Sequence, residues 1–99
     1  MEPNIVEEKL LRVKSDTDSN KLAGSIKATY LENPEQKVRL RVIGAGALNQ
    51  AIKAVIVSNR EFSKKGLFAT VIPFFKDLPG KDSSTQISAI ELLLEYKKV

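Results

Sequence analysis

The chain has 99 residues, 42% of them hydrophobic, and carries 16 Lys or Arg against 12 Asp or Glu, a formal net charge of +4. That suffices for one small core and is too short for two domains. The absence of Cys, His and Trp excludes disulfides, thiolate metal sites, zinc fingers and hydrolases of the Ser-His-Asp or Cys-His type.

Residues 1–8 carry Glu2, Glu7 and Glu8 and no basic residue, and are expected to be a loose, flexible acidic lead-in. They lack the basic and apolar regions of a secretory leader. Lys9 to Ser15 then alternates, with Leu11 and Val13 on one side and Arg12 and Lys14 on the other, as a half-buried strand does. Asp16-Thr17-Asp18-Ser19-Asn20 is a turn cluster, and Asp18 or Ser19 can cap the next helix. Leu22, Ile26, Thr29 and Tyr30 line one face of that helix, which ends at Asn33-Pro34 because the residue before proline avoids helical geometry.

Gln36 to Ile43 is the clearest strand: Val38, Leu40 and Val42 alternate with Lys37, Arg39 and Arg41. Gly44-Ala45-Gly46 reads as a turn, either for close strand–helix packing or for holding a phosphate on backbone N–H groups. A helix follows from about Ala47 to Arg60, striped with Leu48, Ala51, Ile52, Val55 and Ile56. It is too apolar for an ordinary surface helix, which predicts a second covering, a sister subunit. Leu67 to Phe75 suits a strand, kinked or at a sheet edge at Pro73. Lys76 to Ser84 is expected to be a loop turning at Pro79-Gly80. Thr85 to Lys97 has helical propensity, yet Ile90, Leu92, Leu94 and Tyr96 alternate with Glu91, Glu95 and Lys97; we read it as a strand. The order β-α-β-α-β-β predicts an α+β two-layer sandwich, two helices on one face of a four-stranded mixed sheet.

The run Gly44-Ala45-Gly46-Ala47-Leu48-Asn49-Gln50-Ala51-Ile52-Lys53-Ala54-Val55 closely resembles the signature of the stage V sporulation protein S family. Asn20 to Ile26 is similar to that family's first helix, Val71 to Asp77 to its third strand, and Ser88-Ala89-Ile90 to its last strand; the likeness spans roughly residues 9 to 97. The resemblance implies an Alba-like domain over residues 9–99, dimeric, cytoplasmic, without enzymatic activity, and binding DNA or RNA as Alba chromatin proteins do. It also implies that the loop of Ser15 to Asn20 and the hairpin of Lys76 to Ser84 approach nucleic acid. Asp16 and Asp18 depart from the lysine typical of that first loop and would repel phosphates.

The phosphate-contacting candidates are therefore Lys37, Arg39, Arg41, Lys53, Lys76 and Lys81, and the dimer-interface candidates are Leu48, Asn49, Ile52, Val55 and Ile56. Arg12 and Lys14 join the basic face if the first two strands are neighbours. Asn49 and Gln50 could bond across a dimer or satisfy local backbone. Only Tyr96 or Phe68 is expected to offer an aromatic ring on that face. No catalytic residue, metal, cofactor, small-molecule substrate or membrane contact is expected. The second reading is a protein–protein interaction module in a developmental or sporulation pathway that does not touch nucleic acid.

Overall fold

The computed structural model describes residues 8–82 and 84–99. Strand β1 spans Glu8–Val13, helix α1 Ser19–Glu32, β2 Lys37–Val42, α2 Ala45–Phe62, β3 Leu67–Pro79 and β4 Gln86–Lys98, with a short 3-10 turn at Ser63–Lys65. The four strands form one mixed sheet in the order β1-β2-β4-β3. β1 runs parallel to β2, and β4 is antiparallel to both β2 and β3. This is the two-layer α+β arrangement predicted from the element order. Glu8, placed in the lead-in by sequence, begins β1; residues 1–7 of that lead-in lie outside the described residues.

The strand alternation decides the layers. Val38, Leu40 and Val42 are buried together with Val13, Leu92 and Leu94, and both helices pack on this side. α1 contributes Leu22, Ala23 and Ile26. α1 is capped by Asp18, whose carboxylate accepts from the N–H groups of Asn20 at 2.9 Å and Lys21 at 3.2 Å. Tyr30, Phe62 and Tyr96 close the core in a cluster with ring centroids 4.5 to 5.4 Å apart.

α2 starts earlier and is turned differently from the expectation. Gly44, at φ 89°, is its N-cap, so Ala45 and Gly46 belong to its first turn rather than to a loop. Its buried side is built from Ala47, Ala51, Ala54, Val55, Ser58 and Phe62. Ile52 and Ile56 are exposed and Leu48 is half-buried. At its N-terminus α2 approaches the loop after β1 closely: a methyl group on Gly46 would lie 2.9 Å from Ser15 Cβ. The last hairpin also differs. Lys76 to Pro79 are strand, paired in register with Ala89 to Gln86, so β3 runs on to Pro79 and β4 starts at Gln86. No helix among the described residues is long and apolar enough to cross a membrane.

Candidate nucleic-acid interface

The sheet face away from the helices is uncovered. Cross-strand register fixes what stands on it. One row reads Arg12, Arg41, Glu91, Phe74, and the next reads Leu10, Arg39, Leu93, Ile72. Glu8 and Lys37 pair on the β1 side, and Phe68 pairs with Lys97 on the β3 side. The face is thus mixed rather than uniformly basic.

Two of its arginines are already engaged. Arg39 donates from Nε and Nη2 to the Glu8 carboxylate at 2.9 and 3.3 Å, and its Nη1 stands 3.8 Å from Glu91. The hydrogen bond from Arg39, more than its charge, holds the exposed Glu8 carboxyl below the usual carboxylate range. Arg41 donates from Nε to Glu91 at 2.8 Å, and Glu91 is only 7% exposed. Arg39 also leans over Phe74, 5.5 Å from the ring centroid. Around these groups lies an open cleft of ≈ 550 Å³ walled by Leu10, Arg39, Arg41, Phe74, Lys76 and Glu91. Arg12, Lys37, Lys76 and Lys97 have no carboxylate within salt-bridge distance among the described residues.

The six candidate cations do not form one site. Lys37, Arg39, Arg41 and Lys76 share the open face, and Lys81 sits at the hairpin turn. Lys53 is exposed on α2, in the layer behind the sheet. The hairpin is balanced, since Asp77 follows Lys76 and Asp82 follows Lys81. Asp82 accepts from the Ser84 hydroxyl at 2.7 Å and N–H at 3.0 Å, bonds that lower its pKa.

Of the interface candidates, Asn49, Ile52 and Ile56 are exposed and Leu48 half-buried, whereas Val55 is taken up by the protomer's own core. Gln50 serves the fold: its Nε2 donates to the Thr17 carbonyl at 2.8 Å and steadies the loop after β1. Asp18 is occupied as the cap of α1, which leaves Asp16 as that loop's other exposed carboxylate.

Two expectations about the face are corrected. Tyr96 lies in the aromatic core cluster, not on the open face. Phe74, not expected there from sequence, stands on that face with Phe68, the two being 45% and 39% exposed. The β3 run is apolar at nearly every position, so its own alternation is silent; only pairing with the charged positions of β4 reveals which residues face out. Asn59 has a role that no sequence signal announces: its amide accepts from the Ala69 N–H at 2.7 Å and donates to the Ala69 carbonyl at 3.0 Å.

Comparison with known proteins now fits this geometry. The family model described as Stage V sporulation protein S (SpoVS) matches residues 9–97. The chain belongs to that family. It is also similar in structure to Alba from Thermoplasma volcanium, with a TM-score of 0.57 at 13% sequence identity, covering 90% of this chain and 99% of the other. At that identity the likeness establishes the Alba-like fold alone. A small sporulation-related protein with an Alba-like fold is what SpoVS membership and this neighbour support together.

Proposed function

We propose that this SpoVS-family chain, acting as a single domain over residues 9–99, is a cytoplasmic homodimeric regulator that binds nucleic acid through backbone phosphates. The observation that carries this reading is the set of Arg12, Lys37, Lys76 and Lys97, one on each strand of the uncovered sheet face and none within salt-bridge distance of a carboxylate among the described residues. Phosphate neutralisation by such cations supplies most sequence-independent affinity and makes it fall with salt. Arg39 and Arg41 contribute less, because Glu8 and Glu91 already neutralise them. Lys81, at the hairpin turn, would reach phosphate at the margin of this face, whereas Lys53, on α2 behind the sheet, would have to meet nucleic acid separately from it.

The dimer would form on the outer side of α2. Leu48, Ile52 and Ile56 recur every fourth residue there, and Ile56 is 54% exposed. A contiguous apolar ridge of this kind on a soluble surface marks a contact site. Asn49 on the same side would hydrogen-bond across the interface.

The deciding measurement is a gel shift against mixed DNA and mixed RNA at about 50 and about 200 mM salt. Binding at the lower salt that weakens steeply at the higher supports the reading, and no shift with either polymer at the lower salt overturns it. The balanced hairpin and the neutralised arginines favour a second reading, a protein–protein interaction module. It predicts a defined protein partner whose capture survives nuclease treatment.

A further inference from the structure

The open face is unequal from side to side. On the β1–β2 side its arginines are tied to Glu8 and Glu91. On the β3 side the outward positions are Phe68, Thr70, Ile72, Phe74, Lys76 and Leu78, with no acidic residue among them. Each exposed ring there has a cation beside it. Lys97 is the register partner of Phe68. Arg39 leans against one side of Phe74 while nearly half of that residue stays open, and Lys76 follows two residues on.

We propose that the β3 side of this face is a stacking track for single-stranded nucleic acid. This deepens the nucleic-acid reading above, on which it rests, by naming the form of the substrate. Phe68 and Phe74 are six residues apart on one strand, about 20 Å at the usual rise, a distance a few nucleotides of an extended strand can span. Ile72, 38% exposed, fills the interval with apolar surface. Exposed rings bordered by cations on a sheet face suit unpaired bases, whose faces are available for stacking. A duplex hides those faces inside its own stack and offers this surface phosphates, sugars and groove edges instead. Charge complementarity therefore brings the strand, and the rings decide its form. Glu95, in register with Thr70, is the exposed carboxylate beside the track.

The test is fluorescence anisotropy with a labelled twelve-nucleotide single strand and the duplex of the same sequence, at about 50 mM salt and in a salt series. The single strand should bind about tenfold more tightly than the duplex. Phe74→Leu and Phe68→Leu should each lose about tenfold for the single strand with the salt slope unchanged. Lys76→Gln should lower the slope by about one. Glu95→Gln should tighten binding. Ultraviolet cross-linking of the wild-type protein to the single strand should map to peptides containing Phe68 or Phe74; this keeps the proposal testable even if a leucine variant fails to fold. Equal binding of both forms, leucine variants that bind as well as wild type, or cross-links confined to other peptides would overturn the track while leaving phosphate binding intact. Absence of binding to either form at low salt would remove both.

Discussion

Arg41 places Nε and Nη2 each 2.8 Å from Glu91 Oε2 across the β2–β4 pair, and the carboxylate that receives them is almost out of water. Removing one partner of such a pair leaves the other charge desolvated and uncompensated. Glu91→Gln should therefore lower unfolding stability by about 1–3 kcal/mol, read by urea titration. The same change unmasks Arg39 and Arg41 on the open face. It should tighten nucleic-acid binding and steepen its salt dependence by about one unit of slope. A variant as stable as the wild type would show that the pair contributes little.

Tyr96 gives a prediction at alkaline pH. Its hydroxyl is buried without a hydrogen-bond partner among the described residues, and burial, with Tyr30 beside it, pushes its pKa from 10.0 up to about 12. The folded state thus holds this proton more tightly than the unfolded chain. The stabilisation is fully present below pH 10 and is lost as pH rises from 10 toward 12. Tyr96→Phe should remove that part of the alkaline loss. Because it also deletes an unpartnered buried hydroxyl, it should leave the protein equally stable at pH 7 or raise its stability by up to about 1 kcal/mol. Melting curves from pH 7 to the alkaline limit of folding check both.

Gly46 tests how closely α2 approaches the loop after β1. Alanine is the better helix former by about 1 kcal/mol, but its methyl would meet Ser15 Cβ at 2.9 Å. We expect the clash to win, with Gly46→Ala destabilising by about 1–3 kcal/mol. Ser15→Gly in the same chain should recover much of the loss, which a double-mutant cycle measures directly. Equal losses in the single and double variants would place the cost elsewhere.

The exposed ridge of α2 is tested by charge. Ile56→Glu, alone or with Ile52→Glu, should convert a dimer into a monomer in sedimentation while the far-ultraviolet circular dichroism stays unchanged. Both side chains lie outside the core, so the intrinsic stability of the protomer should shift by no more than about 0.5 kcal/mol. A wild-type protein that sediments as a monomer at every concentration would remove this face as an interface.

Much of the fold was legible from sequence because alternation at Val38, Leu40 and Val42 leaves a strand with one possible inner face. Local chemistry narrowed the cap to Asp18 or Ser19 and Pro73 to a kink or an edge, and the structure selects Asp18 and the edge. Three things were not local. The inward face of α2 is Ala47, Ala51, Ala54, Val55, Ser58 and Phe62 rather than the Ile52 and Ile56 stripe; with apolar residues round most of the helix, periodicity does not select which side meets the sheet. The outward turn of Phe74 depends on its register with Glu91, which exists only once β3 and β4 pair. The extension of β3 through Lys76 to Pro79 rests on β4 as well, since polar and proline residues there look like a loop by themselves. The candidate site was legible in its residue types and hidden in its partnerships: Arg39 and Arg41 were evident, but their ties to Glu8 and Glu91 needed the assembled sheet.

β3 is a thirteen-residue strand at the rim of the sheet, the sort of border along which neighbouring molecules can zip into fibres. Asn59 occupies both outward hydrogen-bonding groups of Ala69, and Pro73 has no N–H to offer four residues later. A stranger seeking to lengthen the sheet finds the docking line broken twice. The same amide also ties α2 to this border, so Asn59→Leu would strand two covered backbone groups of Ala69 and loosen the rim it guards.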